Sequence, residues 1–407
     1  MARSRTLHTL TISALVVGLA ACSAKTSGSD TATPGVTEDT IRVGVLTDLS
    51  AVYGPLAKTL VQGNELYFNQ LNESGGVCGR DVELVVRDHE HNVQKAVTQF
   101  NELEPEVLGF VQMLGSPIVA ALAPRIADTE AVTIPTTLST DWLGLDGMVV
   151  TGTSYPVEVV NGLSYLLERG DISAGDTIGH VYFDGDYGTN ALTGSEYFAE
   201  RHDMTVAAIQ VEPTTTELTA QVEELRRNDV SVIVVSAGPR QTASVAGLTG
   251  AAGLKVPMLA NGPGFDPALL DTPVGATLTE RLHVLTPQEP FGGGSPESKE
   301  IATAYAAAYP DGAPTAWVNY GYAMASLMGM AIEQACTDGE LDRDGVMSAL
   351  RSIDDAALGV MPPQDLTDDS TMPSTLTYIS KVDKGVAGGL ALVEADYRSA
   401  DGDAYGS

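Results

Sequence analysis

The sequence predicts an α/β protein built from two successive α/β units. Short apolar runs that suit buried strands alternate with segments of helical periodicity from residue 40 to about residue 265. Nearly every connection between them carries glycine or proline, the residues that mark turns. The alternation is interrupted once, near residues 151–156. This pattern is typical of parallel sheets that are covered by helices on both faces.

The elements follow one another in a regular order. In the first unit, strands are predicted at residues 41–46, 81–87, 110–114, 131–135 and 148–151, with helices that begin at residues 54, 93 and 117. In the second unit, strands are predicted at residues 177–183, 205–211, 230–235 and 256–259, and helices at residues 157–170, 190–201, 217–228 and 241–252.

The order changes after residue 285. Helices are predicted at residues 297–309, 315–336 and 341–353, and strands at residues 375–382 and 390–393. The last ten residues are small and polar, and we expect them to be frayed.

A sharp turn follows the strand at residues 110–114. Gly115 breaks the apolar run, Ser116 is a preferred helix N-cap, and Pro117 is tolerated at the first helical position. The free N–H groups and positive dipole end of such a helix bind anions such as carboxylates. The alternative is that Ser116 serves only as a helix cap.

Hydroxyl side chains also follow the next strand. Thr136, Thr137 and Ser139 lie past the end of the strand at residues 131–135. Because ligands of open α/β sheets bind outside the carboxyl ends of the strands, these hydroxyls and Ser116 are candidates for one binding site.

Composition limits the possible partners. The chain has 407 residues, enough for two domains, and a net charge of −31 from 22 basic and 53 acidic residues. Such a charge argues against nucleic acid or an anionic membrane surface as a partner.

The N-terminus has the three parts of a signal peptide. Arg3 and Arg5 precede an apolar stretch at residues 10–19, and Leu-Ala-Ala-Cys ends at Cys22. This resembles the lipobox of bacterial lipoproteins. Residues 1–21 are therefore predicted to be a signal peptide, Cys22 to carry the lipid, and residues 22–39 to form a flexible tether to the extracytoplasmic face of a membrane. The alternative is an ordinary secretory signal with an incidental cysteine.

The remaining cysteines, Cys78 and Cys336, are expected to form a disulfide, because disulfides persist in exported proteins.

The segment 88–91, Asp-His-Glu-His, could hold a metal, but no third ligand is evident. No catalytic motif such as GxSxG, HExxH or a Walker loop is found in the sequence. We therefore predict no metal, no cofactor and no enzymatic activity. Trp142 and Trp317 are interpreted as packing residues.

Several segments in this order resemble the solute-binding proteins of ABC importers of the branched-chain amino acid type. They are IRVGVLTDLSAVYGP, FNQLNESGGVCGRDVELVVRD, the Leu-Gly-Ser turn, DGDYG and GAAGLKVPMLANG, and the resemblance covers about residues 40–395. It implies a type I periplasmic-binding fold, in which two Rossmann-like lobes are joined by three crossovers. Lobe 1 would comprise residues 40–152 and 291–358, and lobe 2 residues 155–288 and 372–396. Both Cys78 and Cys336 would then lie in lobe 1.

The resemblance also implies a set of ligand-binding residues. The family's first-lobe aromatic is matched by Tyr53, and its second-lobe aromatic by Tyr187. The family's carboxylate-binding elements are matched by Gly115 and Ser116 and by Thr136, Thr137 or Ser139.

One family position differs. Amino-acid binders of the family place an acidic residue after the strand at residues 256–259, where it pairs with the ligand ammonium, and this chain has Asn261 there. An amide accepts a hydrogen bond but does not neutralise a charge. Residues 237–238 are small where the family often carries an aromatic. We therefore expect a ligand other than a plain aliphatic amino acid, such as an amide, a carboxylate or a larger polar molecule.

The resemblance implies a monomeric lipoprotein that captures a small ligand between its lobes and delivers it to ABC permease subunits. Two alternatives remain open from the sequence. One is a ligand-sensing subunit of a membrane receptor, and the other is a secreted enzyme.

Overall fold

A computed structural model describes Met1 and residues 33–406 of the chain. In chain order, the strands are β1 (Thr40–Thr47), β2 (Asp81–Asp88), β3 (Gly109–Met113), β4 (Val132–Pro135), β5 (Thr177–Phe183), β6 (Thr205–Val211), β7 (Val232–Ser236), β8 (Met258–Asn261), β9 (Leu282–Thr286), β10 (Thr377–Val382) and β11 (Leu390–Tyr397). The helices are α1 (Gly54–Glu73), α2 (Val93–Leu103), α3 (Ser116–Thr129), α4 (Tyr155–Glu168), α5 (Gly188–Arg201), α6 (Thr219–Arg227), α7 (Pro239–Ala251), α8 (Gly275–Arg281), α9 (Pro296–Ala308), α10 (Trp317–Asp338), α11 (Arg343–Arg351) and α12 (Ala400–Gly406).

The strands form two sheets, which confirms the predicted α/β class. The first sheet is parallel throughout, with the order β2-β1-β3-β4. The second has the order β11-β10-β9-β8-β7-β5-β6, and only β10 and β11, at one edge, run antiparallel to their neighbours. We call each sheet with its helices the first and the second lobe. Strands β3 and β7 are buried along their whole length, as expected where helices cover both faces.

The first lobe is assembled from two distant parts of the chain. Helices α9, α10 and α11 follow β9 of the second sheet, yet α10 packs against α1 of the first lobe. The contact is close because Gly63 and Gly321 bear no side chain. A Cβ at Gly63 would lie 2.2 Å from the Val318 carbonyl oxygen, and one at Gly321 would lie 2.1 Å from the Leu60 carbonyl oxygen.

A disulfide joins these two parts as well. Cys78, in the connection between α1 and β2, is bonded to Cys336 near the end of α10, with the Cα atoms 6.5 Å apart. The predicted pairing is therefore present.

Three predicted elements differ from the structure. Residues 148–151 are not a strand, because only Met148 makes a bridge, to Thr133, although this segment is largely buried in the first-lobe core. The end of the chain is the helix α12 rather than a frayed tail, and Asp401 in it accepts hydrogen bonds from Arg201 and His202. Residues 35–39, in the predicted tether, are bonded to β1, as the 2.7 Å bond from the Arg42 amide to the Gly35 carbonyl shows.

Other predictions concern the N-terminal segment. The signal peptide and Cys22 lie outside the described residues. Within residues 33–406, no helix combines the length and the apolar character that crossing a membrane requires. The lobe boundaries given above remain a prediction.

Candidate ligand-binding site

A cavity of about 50 Å³ lies between the two lobes, larger than the roughly 10–15 Å³ that one water molecule requires. Both lobes and helix α10 contribute to its wall. The lining residues are Tyr53, Leu56, Leu114, Gly115, Ser116, Thr136, Thr137, Tyr155, Tyr187, Pro263 and Trp317. None of these eleven side chains is acidic or basic.

The first-lobe wall is built on the turn between β3 and α3. Gly115 has a φ of 104°, a left-handed conformation that favours glycine. The amides of Ile118 and Val119 both donate to the Gly115 carbonyl, at 2.9 and 3.0 Å. Pro117 has no N–H, so the amide of Ser116 remains as a donor at the helix start. This is the electropositive end of a 14-residue helix.

Ser116 is not the cap of this helix. It is the first helical residue, and its hydroxyl lies 3.0 Å from the hydroxyl of Thr137. The explanation that Ser116 serves only as a cap is therefore wrong. Thr136 and Thr137 follow β4, which pairs with β3, and the Thr136 amide donates to the Met113 carbonyl at 2.8 Å. The sheet thus brings the hydroxyls from two strand ends together.

Tyr53 reaches the cavity from the loop between β1 and α1. The buried carboxylate of Asp48 orders this loop by accepting bonds from three backbone amides, those of Ser50, Ala51 and Tyr53, at 3.3, 2.7 and 3.0 Å. Burial, and secondarily the charge of Asp48, raises the pKa of the Tyr53 hydroxyl. Tyr53 is therefore a neutral side chain at physiological pH.

The second-lobe wall is aromatic. The rings of Tyr155 and Tyr187 lie 4.6 Å apart between centroids, and both residues are buried. The hydroxyl of Tyr155 is hydrogen-bonded to Thr137 of the first lobe. Trp317, from the start of α10, packs on the turn after β8, where a Cβ at Gly262 would lie 2.9 Å from the Trp317 ring.

A wider cavity of about 550 Å³ adjoins this site and shares Tyr53, Ser116 and Tyr187 with it. Asp184 and Asp186 are also among its lining residues, and Asp184 is exposed. We interpret this wider cavity as the entrance, where charged groups remain hydrated.

Two predicted site residues do not line the central cavity. Ser139 is buried, and its hydroxyl accepts the Asp141 amide at 3.2 Å, capping the short 3-10 helix Thr140–Trp142. Asn261 is also fully buried, and its side chain is bonded to Glu158 and Ser236, both at 2.7 Å. The five other side chains and Gly115 from the predicted set do line the cavity.

The segment 88–91 supports the backbone of the binding turn through His89. His89 is buried, and its Nε2 lies 3.1 Å from the carbonyl oxygen of Leu114, next to Gly115. Its Nδ1 accepts the amide of His91 at 3.1 Å, so His89 is the Nε2–H tautomer and donates to Leu114. Burial lowers the pKa of His89 to about 4, so it is neutral.

Tyr155 and Trp317 were not predicted as site residues. Tyr155 opens the helix that follows the first crossover, and Trp317 opens the helix after the loop that leaves the second sheet. Both are aromatic residues at helix starts next to lobe connections, and that position is the signal that could have identified them. Trp142, by contrast, packs in the first-lobe core.

Two Rossmann-like lobes with a cavity between the carboxyl ends of their strands define a two-lobe solute-binding protein. The sequence model described as "Periplasmic binding protein" matches residues 40–387. The chain belongs to this family, of type I substrate-binding proteins of ABC transporters, and membership implies an extracytoplasmic location.

Solved structures agree with this assignment. A fatty acid ABC transporter substrate-binding protein from Thermomonospora curvata is 39% identical, with a TM-score of 0.90 over 92% of this chain and 96% of that one. A branched-chain amino acid ABC transporter structure from Thermus thermophilus with bound valine has a TM-score of 0.79 at 16% identity, over 91% of this chain and 99% of that one. The latter shows a shared fold alone. A comparison with curated proteins finds no match.

Proposed function

We propose that this chain is a lipid-anchored solute-binding protein that captures a small organic carboxylate with an apolar body and delivers it to an ABC importer. The lipid would be carried by Cys22, which lies outside the described residues. The ligand would bind between the lobes, with Tyr53, Gly115, Ser116, Thr136, Thr137 and Tyr187 among its contacts.

One observation carries this proposal. The cavity wall has a polar part that suits a carboxylate and an aromatic part that suits an apolar body. The start of α3 and the hydroxyls of Ser116 and Thr137 suit a carboxylate. Tyr155, Tyr187 and Trp317 suit an apolar body. An amino acid also needs a partner for its ammonium group, and no lining side chain is charged.

The printed description of the 39%-identical protein, a fatty acid transporter component, agrees with a carboxylate that lacks an ammonium group. From that description we extend to this chain only the chemical class of the ligand, a carboxylate. The ligand screen described below is to determine the length of its apolar body.

Contacts between the lobes support a mechanism of closure around the ligand. Asn190 of α5 accepts the Thr140 amide at 3.3 Å and donates to the Thr140 hydroxyl at 2.7 Å, and Tyr155 bonds to Thr137. These bonds connect the lobes beside the cavity. A ligand that adds contacts to both lobes would shift the population towards this closed form, which the permease would recognise.

A thermal-shift screen of the purified protein tests the ligand class. The panel contains hexanoate, octanoate, 3-phenylpropanoate and their amides, with leucine, isoleucine and valine. A ligand at 100 times its Kd stabilises the protein by about 2.7 kcal/mol, and we expect this for at least one carboxylate. Tight binding of a branched-chain amino acid would overturn the proposal.

Two further assays separate transport from its alternatives. Uptake of the bound carboxylate in vesicles that contain the cognate permease would support import, whereas binding without uptake would favour a sensing subunit. Chemical recovery of the ligand unchanged after long incubation excludes the secreted enzyme.

A further inference from the structure

The hydroxyl of Tyr187 is a buried polar group of the cavity wall that lacks a hydrogen-bond partner in the described part of the chain. Tyr187 is only 7% exposed, and its Oη atom is buried without a hydrogen bond. Of the neighbouring hydroxyls, Ser116 bonds to Thr137 and Thr137 to Tyr155. A buried hydroxyl without a partner is costly, so a group that enters the cavity and bonds to it gains affinity.

A second unpartnered oxygen lies behind the same wall. Glu158, on α4, is fully buried, and its Oε1 atom has no partner in the described residues. Burial raises the pKa of Glu158 well above the ordinary value, an effect that the hydrogen bond from Asn261 opposes. Glu158 is close enough to contribute to the raised pKa of Tyr187, after burial and the effects of Tyr53 and Tyr155.

Hydrogen-bond directions show which oxygen of the Glu158 carboxyl group is already engaged by the protein. Ser236 donates to the Asn261 side-chain oxygen at 2.7 Å and therefore accepts from His180 Nε2, which lies 2.9 Å away. His180 Nδ1 then accepts from Ser195 at 2.8 Å. Asn261 in turn donates to Glu158 Oε2 at 2.7 Å. Every group in this chain donates towards Glu158, so Oε2 is an acceptor and Oε1 is the oxygen that remains without a partner in the described residues.

We infer that the ligand carries a second polar group, a hydroxyl or carbonyl oxygen, which the hydroxyl of Tyr187 binds. This inference rests on the proposed carboxylate function and narrows it to oxygen-substituted carboxylates. The Tyr187 O–H can donate to a ligand oxygen, whereas an ammonium has only donors and cannot accept this bond. The carboxylate has its own contacts at Ser116 and Thr137, so we assign the Tyr187 hydroxyl to a second group of the ligand.

Matched ligand pairs and one conservative variant test this inference. Isothermal titration compares hexanoate with 6-hydroxyhexanoate, and 3-phenylpropanoate with 3-(4-hydroxyphenyl)propanoate. We expect an oxygen-bearing member to bind about tenfold more tightly to the unmodified protein, and Tyr187→Phe to remove that advantage. Tyr397→Phe is the matched control, because the Tyr397 hydroxyl bonds to Glu168 on the surface of the second lobe at 2.9 Å.

Tyr187→Phe removes only an unpartnered hydroxyl, so the variant should melt at the same temperature as the unmodified protein or higher. Equal binding of both members of each pair would overturn the inference and leave the carboxylate proposal intact. Equal weakening of every carboxylate by Tyr187→Phe would also overturn it, because Tyr187 would then bind the carboxylate itself. No binding of any panel member would overturn the proposed function and this inference with it.

Discussion

The two lobes solve the problem of burying polar groups near a ligand in different ways. In the first lobe, the hydroxyls of Ser116 and Thr137 bond to each other, and His89 and Asp48 hold the backbone of the surrounding loops. In the second lobe, a chain of buried polar groups ends at Glu158, with one oxygen unpartnered. In the first lobe the Ser116 and Thr137 hydroxyls thus bond to each other, whereas in the second lobe the Tyr187 hydroxyl and Glu158 Oε1 have no partner among the described residues. This difference agrees with the proposal that the second lobe selects among carboxylates.

The largest expected effect comes from placing a negative charge in the first-lobe wall. Ser116→Asp sets a carboxylate against the ligand carboxylate, and such like-charge contacts cost several kcal/mol, or more than about 100-fold in Kd. Ser116→Asn, similar in size and neutral, is the control, and titration with the best carboxylate of the screen is the measurement. Similar losses in both variants would show that the ligand carboxylate does not lie at Ser116.

The disulfide between Cys78 and Cys336 stabilises the first lobe, and the described residues of the second lobe contain no disulfide. Removing it should lower the stability of the protein rather than weaken ligand binding. Cys78→Ser combined with Cys336→Ser opens a loop with a sequence separation of 258 residues. We expect the free energy of unfolding to fall by about 2–5 kcal/mol in urea titrations. The Kd of the ligand should change less than twofold, and a large change would mean that the disulfide shapes the cavity.

The buried Glu158 should make stability depend on pH in one direction. Because its pKa is raised in the folded state, the folded protein holds a proton that the unfolded chain releases above pH 4.5. The free energy of unfolding should therefore fall by about 1.4 kcal/mol for each pH unit above that value, up to the raised pKa. Glu158→Gln should remove this slope and make the protein relatively more stable at pH 7.

Urea titrations at several pH values measure that slope, and Glu200→Gln provides the control, because Glu200 is exposed on α5 of the same lobe. Parallel profiles for the unmodified protein and Glu158→Gln would show that Glu158 is ionised in the folded state.

The smallest expected effect concerns the contact that joins the lobes. Asn190→Ala removes two hydrogen bonds to Thr140 without altering any residue that lines the central cavity. Each such bond contributes about 1 kcal/mol, so for the two together we expect a loss of affinity of up to about 30-fold, seen as faster ligand release. Asn228→Ala, at the exposed end of α6, is the control. An unchanged dissociation rate would show that this contact does not hold the closed form.

Local patterns predicted most of the fold and the first-lobe part of the site. The Gly115-Ser116-Pro117 turn and the hydroxyls after β4 follow strands directly, so parallel pairing alone brings them together. Tyr155 and Trp317 reach the cavity only because the lobes face each other, a long-range arrangement that periodicity does not encode. The helix α12 was missed because its small polar residues have no apolar period, and contacts with α4 and α5 stabilise it instead.

The predicted role of Asn261 shows the same limit in another form. Sequence placed it correctly at the end of β8. The direction of the Asn261 side chain was not predictable, because the buried Glu158 to which it bonds lies 103 residues earlier, on α4. Asn261, which stands where the family has an acid, is thus bonded to the buried carboxyl group of Glu158 within the core.

The divided first lobe also has a consequence for how the protein is made. Its N-terminal part is synthesised before strands β5–β9 of the second sheet, and α10 and Cys336 emerge after those strands but before β10 and β11. Until then Cys78 remains a free thiol, and the face of α1 that α10 will cover is open. The disulfide can therefore form only after β5–β9 and α10 have been added to the chain.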